Sequence, residues 1–287
     1  MVDTLADKVA VITGATRGLG LAIAHAYGRE GAAVVIASRS TEAVDEAVAS
    51  LRAEGIQASG RPCDVADLAQ VEALAGHARE AFGRLDIWVN NAGTAGIYGP
   101  TAHITAEAFT QVLQTNILGV YHGSLVAMRH FVPQGRGKLI NVLGMGARRP
   151  APLQNAYGSS KAWVRSFTLA LAKEYADSGV GVFAFHPGMM RTAMLQRVDV
   201  IAGCEERLKV FETIVRMWAN PPEVPARRAV WLASSATDGR TGLEVQATAA
   251  FHLLRGALRE LWRRLLRRPG EPLEITIRTV PPAKTMD

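Results

Sequence analysis

Tyr157 and Lys161 stand four residues apart in the run Tyr157-Gly158-Ser159-Ser160-Lys161, a spacing that puts two side chains on one face of a helix. A phenol with a reference pKa of about 10 is a poor base at neutral pH. A lysine ammonium beside it favours the phenolate and moves Tyr157 toward acid–base work. A second candidate is the run Thr13-Gly14-Ala15-Thr16-Arg17-Gly18-Leu19-Gly20. Gly14 permits a tight turn, Gly18 lets the backbone approach a pyrophosphate, and Gly20 lets the following helix pack closely. If that helix begins here, its free N–H groups and positive dipole end complete a phosphate cradle. The cradle would comprise Gly14, Thr16, Arg17, Gly18, Leu19 and Gly20.

Such groups need elements to hold them. Apolar, β-branched runs at 9–13, 33–38, 86–90, 138–143 and 180–186 read as buried parallel strands. Amphipathic stretches at 19–30, 42–54, 67–82, 106–131 and 156–178 read as helices. Gly31, Gly55, Gly83 and Gly179 sit just past four of their ends. Strands alternating with helices of this length predict a Rossmann-type doubly wound parallel sheet in a three-layer α/β/α domain. Residues 242–248 supply a candidate last strand. The economical division is a domain at 1–250 with a C-terminal amphipathic helical extension at 251–287.

In its Thr-Gly-x-x-x-Gly-x-Gly spacing the first turn resembles the short-chain dehydrogenase/reductase family, and the remaining motifs follow in that family's order. Cys63-Asp64-Val65 falls after a third strand, where the family places an aspartate near adenine. Asn90-Asn91-Ala92-Gly93 matches the motif that supports the central sheet and lines the cofactor site. Asn116 stands at the active-site asparagine, and Tyr157 with Lys161 at the Tyr-x-x-x-Lys pair. Pro187-Gly188 followed by Thr192 matches the loop beside the nicotinamide. The resemblance spans roughly residues 7–250. It implies that Tyr157 moves the proton, with the positive oxidised nicotinamide adding to its activation. Lys161 would also hold the nicotinamide ribose, and Asn116 would support a water in a proton relay. It further implies a homodimer or homotetramer, pairing the helices of Asn116 and Tyr157 across subunits.

One position departs from the family. Its catalytic serine lies thirteen residues before the tyrosine, and here that residue is Gly144. An oxyanion-type donor contributes about 3–4 kcal/mol to a transition state, so its loss matters. Two readings stay open. Backbone N–H groups around Gly144 and Met145, a water, or the side chains of Gln154 or Asn155 could donate instead, leaving redox chemistry intact. Alternatively the fold keeps its cofactor for non-redox cyclisation or isomerisation, or for ligand-dependent binding. The cofactor itself is more legible. NAD preference normally shows as an acid at the end of the second strand. The strand here ends Ile36-Ala37-Ser38-Arg39, and Arg17 sits in the glycine turn. Two guanidinium forks and a hydroxyl suit a 2′-phosphate, so NADP(H) is expected over NAD(H).

On the substrate side, Met189, Met190 and Met194, then Phe211, Met217 and Trp218, occupy what the family uses as a lid. Adaptable methionines suit an apolar ketone or alcohol, and core packing of the same residues is the competing reading. His186 reads as a packed strand-end residue. No histidine spacing suggests a metal.

Of 287 residues, 48% are hydrophobic and 20% charged, an ordinary globular balance. No apolar run is long enough to span a membrane and the N-terminus lacks a signal pattern. Two cysteines suit a reducing compartment, and the cytoplasm is expected. The net charge of +6 is concentrated in residues 251–270, which hold six arginines against one glutamate. It is therefore no sign of nucleic-acid binding by the body. Residues 251–268 form an amphipathic helix candidate. Phe251, Leu254, Leu258, Leu261, Trp262 and Leu265 gather on one side, with most arginines opposite. The helix could lie on an anionic membrane surface, dock on its own domain, or pack against a partner subunit. An apolar docking face beneath a solvated arginine face is the simplest expectation.

Overall fold

The computed structural model describes residues 4–208, 211–247, 250–266 and 275–283. Along the chain run β1 (Val9–Thr13), α1 (Gly18–Arg29), β2 (Ala33–Ser38), α2 (Thr41–Ala53), β3 (Ala58–Pro62), α3 (Leu68–Phe82) and β4 (Ile87–Asn90). Then come α4 (Ala106–Leu113), α5 (Gly119–Gln134), β5 (Gly137–Val142), α6 (Asn155–Glu174), β6 (Val180–His186), α7 (Ala193–Gln196) and β7 (Arg197–Ile201). The remainder is α8 (Phe211–Trp218), α9 (Glu223–Ala233), β8 (Glu244–Gln246), α10 (Ala250–Leu265) and β9 (Thr276–Val280).

Seven strands form one parallel sheet in the order β3-β2-β1-β4-β5-β6-β8. This is the expected doubly wound Rossmann-type sheet. Alternation along each strand feeds two cores, one per face. Ala10 and Ile12 of β1 pack with Ile23 of α1 and Ala229 of α9, whereas Val9 and Val11 pack with Leu74 of α3 and Phe131 of α5. Strand order reverses between β2 and β4 on either side of β1, so a crevice opens at the carboxyl ends there.

Several local expectations needed correction. The strand expected to begin at 86 begins at Ile87, because the Asp86 carboxylate accepts the Val9 N–H (3.0 Å) and two bonds from Arg84 (2.7 Å each). The fifth strand is shifted one residue toward the N-terminus. The stretch expected as one helix over 106–131 is interrupted at Gln114–Leu118 by a π-helical turn. Such turns rotate side chains out of the regular ladder, and this one directs Asn116 into the interior. The last strand is Glu244–Gln246, shorter than 242–248, and Thr248 lies outside the described residues.

Two strands were not anticipated. β7 and β9 pair in parallel as a separate two-stranded sheet, with Arg197 opposite Thr276. Arg278 clamps Asp199 through two nitrogens at 2.7 and 2.6 Å. The tail helix also departs from expectation. α10 packs on α8, yet its apolar residues Leu258, Leu261, Trp262 and Leu265 face solvent while Glu260 is buried. The side chains of Phe251 and Leu254, and Arg267 and Arg268 altogether, lie outside the described residues.

Candidate active site

The crevice is walled by the turn between β1 and α1. Ser40, Asp67 and Thr105 cap α2, α3 and α4 with their side chains, but Arg17 at the N-cap of α1 makes no such bond. The first N–H groups of α1 therefore face outward without a side-chain acceptor, as an anion site requires. A Cβ on Gly20 would lie 2.5 Å from both Gly14 O and Asn91 Nδ2, so only glycine lets helix and strand approach this closely. Thr192, from the loop after β6, stands over Gly18, where an added Cβ would meet its Cγ2 at 3.4 Å.

Asn91 ties the next loop to this turn. Its Nδ2 donates to Thr13 O (2.9 Å) and Gly14 O (3.0 Å), while Thr13 Oγ1 accepts the N–H groups of Asn91 and Ala92 (3.1 Å each). Thr13 is a residue that sequence reading used only as part of the motif. Below it, Asn90 Nδ2 donates to Asn141 Oδ1 (2.8 Å) and Ser124 Oγ (3.1 Å), and its Oδ1 accepts from Trp88 Nε1 (2.8 Å). That buried amide links β4 to β5 and α5. At the far wall Asp64 Oδ1 accepts the Ala66 N–H (3.0 Å), shaping the turn after β3, and Val65 packs against Gly119. Ser38 is half-buried at the end of β2, with Arg39 and Arg17 exposed. Neither guanidinium has a hydrogen bond or ion pair among the described residues.

Asn116, Lys161 and Gly93 meet in one place: a Cβ on Gly93 would lie 3.3 Å from Asn116 Oδ1 and 3.7 Å from Lys161 Nζ. Asn116 is fully buried. Its Oδ1 accepts the Thr94 N–H (2.9 Å), and its Nδ2 donates to Thr94 O (2.9 Å) and Ser160 Oγ (3.0 Å). Ser160 thus fixes the asparagine, a role hidden inside the quoted Tyr-to-Lys run. Lys161 Nζ donates to Val142 O at 2.9 Å and sits 5.8 Å from the Tyr157 ring centre.

In the protein alone, burial dominates the electrostatics of this pair. Burial pushes Tyr157 up to about 12 and Lys161 down to about 8. The ammonium is turned to a carbonyl rather than hydrogen-bonded to the phenol, so desolvation outweighs its pull. Tyr157 is thereby a neutral acid at pH 7.

Gly144 explains its own residue type. A Cβ built there would lie 2.1 Å from Tyr157 Oη and 3.0 Å from its Cζ. The phenol's tip fills the space that any side chain at position 144 would enter. Backbone strain is not the reason, since Gly144 is absent from the positive-φ residues, whereas Gly146 has φ +95°.

The side chains that could donate to a substrate oxygen in place of a serine hydroxyl are unevenly placed. Asn155 Nδ2 is spent on Thr101 Oγ1 (3.1 Å), Gln154 makes no side-chain cap to α6, and Met145 is exposed. His186, read as a strand-end residue, accepts the Gly188 N–H on Nδ1 (3.1 Å) and so holds the Pro187–Gly188 turn. Met189 and Met190 form the edge of the loop: Asn220 N donates to Met189 O (3.0 Å), and Met190 packs against the main core. A separate apolar cluster follows on the chain after this loop. Val200, Ile201 and Leu208 pack with Tyr98, Ile104 and Phe211, and Tyr98 is bonded to β7 through Asp199 O (2.8 Å). Among the described residues no cluster of His, Cys, Asp or Glu could hold a metal.

Comparison with known proteins agrees with this geometry. The family model described as short chain dehydrogenase matches residues 8–200. The chain is 36% identical over 244 residues to 3beta-hydroxysteroid dehydrogenase 1 of Eggerthella lenta, covering 84% of this chain and 92% of that one. It is 31% identical over 244 residues to glucose 1-dehydrogenase 2 of Bacillus subtilis, covering 84% and 93%. Among solved structures, an actinorhodin polyketide ketoreductase variant with NADPH superposes with a TM-score of 0.76 at 30% identity, covering 83% of this chain and 95% of that chain. A 3-ketoacyl-(acyl-carrier-protein) reductase from Brucella melitensis complexed with NADH gives 0.75 at 30%, covering 84% and 97%. The chain belongs to the short-chain dehydrogenase family and is an NAD(P)-dependent oxidoreductase of carbonyl and alcohol groups.

Proposed function

We propose that the chain is an NADP(H)-dependent reductase of the carbonyl group in a small, fairly apolar molecule, with Tyr157 as the proton donor. The observation that carries this reading is the neutral Tyr157 hydroxyl at the crevice, beside Lys161 and Asn116. A group with a pKa near 12 holds its proton at pH 7 and surrenders it to an alkoxide, which suits reduction. The cofactor fits by an independent test: the uncapped start of α1 offers N–H groups to a pyrophosphate. Gly14, Thr16, Arg17, Gly18, Leu19 and Gly20 would hold the phosphates. Asp64, Val65, Asn91, Ala92 and Gly93 would line the adenine and ribose side, and Pro187, Gly188 and Thr192 the nicotinamide. The unpartnered Arg17 and Arg39, with Ser38, favour a 2′-phosphate.

NADPH, when bound, supplies a hydride to the carbonyl carbon. Tyr157 Oη passes its proton to the carbonyl oxygen as the new C–H bond forms. Lys161 fixes the ribose and stabilises the transient phenolate, and Asn116 holds the relay that returns the proton. The substrate contacts would come from Gly144, Met145, Gln154, Met189 and Met190, with the apolar cluster of Val200, Ile201, Tyr98 and Phe211 as their roof. Two buried free cysteines suit a reducing cytoplasm. Exposed Leu118 and Tyr121 beside α5 support pairing of α5 and α6 in a dimer or tetramer.

A second reading is non-redox cyclisation or isomerisation on a bound cofactor, and Gly144 is the observation that favours it. NADPH consumption against a panel of ketones, aldehydes and quinones decides. Binding of NADPH without consumption by any of them would remove the reductase reading.

A further inference from the structure

We propose that α10 docks this protein onto an anionic lipid surface. The helix is mounted with its polar side inward. Gly256 crosses α8 so closely that a Cβ would lie 2.1 Å from Met217 O. Arg259 donates to Arg216 O at 3.0 Å. Glu260, one turn beyond Gly256, is buried and held by Arg263 at 2.6 and 2.8 Å. Leu258, Leu261, Trp262 and Leu265 therefore point away from the protein, each between 48% and 65% exposed, with Leu266 continuing the strip. Their spacing is that of a helix face built to be buried. Four large side chains in one exposed row are not the scattered apolar residues of an ordinary surface.

Charge identifies the occupant. Residues 251–270 carry six arginines against Glu260, and that glutamate is already buried against Arg263. The segment that bears the strip thus has a net charge of +5, which suits anionic headgroups, while a tryptophan suits the headgroup boundary itself. A second copy fits poorly. A two-fold pairing through this strip would set one arginine-rich segment against its twin. No helix among the described residues is long and apolar enough to cross a membrane, so the contact is peripheral. α8 begins with Phe211, which packs in the roof cluster, so docking sets the roof of the site at the lipid surface. Resting on the reductase reading, this points to a carbonyl substrate that partitions into lipid.

The test is cosedimentation of the full chain with vesicles of phosphatidylcholine alone or of phosphatidylcholine with phosphatidylglycerol. Binding is expected to the mixed vesicles, weakened by salt, and absent with phosphatidylcholine alone. Leu261→Ser together with Trp262→Ser should lower that binding by about tenfold or more. Melting temperature and NADPH turnover in solution should not change, because both side chains are exposed and neither is among the site residues. Failure of the wild type to bind mixed vesicles would overturn the proposal, as would a double variant that binds like the wild type. So would a salt-stable oligomer that the double variant dissociates, which would make a second copy the occupant. Vesicle binding is read without substrate. A chain that binds lipid but reduces nothing keeps this proposal and loses only the reductase reading.

Discussion

Adding one methyl group at Gly144 is the sharpest probe of the site. The Cβ of Gly144→Ala would fall short of ordinary contact with Tyr157 Oη by about 1.3 Å. Tyr157 is half-buried on α6, so the overlap is relieved by tilting the ring or shifting that helix. Overpacking of this kind costs about 2 kcal/mol, a loss of roughly 3–6 °C in melting temperature. Moving the proton donor by about 1 Å costs on the order of 100-fold in turnover. Gly144→Ser introduces the same Cβ and adds a hydroxyl worth up to about 3 kcal/mol toward a developing oxyanion. The ratio of serine to alanine turnover therefore isolates the donor from the crowding. Both variants should melt lower than wild type to the same extent, with serine the faster on a small ketone. The assay is NADPH absorbance alongside thermal denaturation. Wild-type melting and turnover in Gly144→Ala would refute the packing of the phenol over this glycine. Equal turnover of the two variants would show that a serine-like donor is not used.

Other outcomes follow from the same geometry. NADPH should bind at least about tenfold tighter than NADH, about 1.4 kcal/mol, and Arg39→Ala should remove most of that; equal affinities by titration calorimetry would sink the 2′-phosphate assignment. Tyr157→Phe should keep NADPH affinity within a few-fold and abolish turnover, and near-normal kcat would name another proton donor. Lys161 is charged below about 8 and neutral above it. Its charge beside the ribose position is thus lost as pH rises, so kcat/KM for NADPH, which reports the free enzyme, should fall beyond about pH 8. A profile flat to pH 10 would exclude Lys161 as the group responsible.

The chemistry-bearing residues were legible because their types are set by close approach: Gly20 under Asn91, Asn90 between two strands. What was not legible depended on partners distant in sequence. β3 reads Ala-Ser-Gly-Arg-Pro, with no β-branched residue, and becomes a strand through its pairing with β2. β7 and β9 are short and alternate polar with apolar residues only in part, and their pairing spans 79 positions from Arg197 to Thr276. The helical pattern over 106–131 is continuous in sequence, and the π turn at Asn116 shows only when its amide finds Thr94 and Ser160. For α10 the periodicity was read correctly and the face was not. Helical spacing says that one side is apolar, and here a glycine contact and a buried glutamate chose the opposite side to face α8.

The separate β7–β9 sheet also sets an order of events in biosynthesis. All seven strands of the main sheet leave the ribosome before residues 276–280 do, so the sheet with its crevice can form while β7 still lacks its partner strand. In the finished molecule β9 is solvent-exposed along most of its length, which makes it the natural place for fraying to start. Opening there would loosen β7 and the apolar cluster it belongs to while leaving the seven-stranded sheet paired.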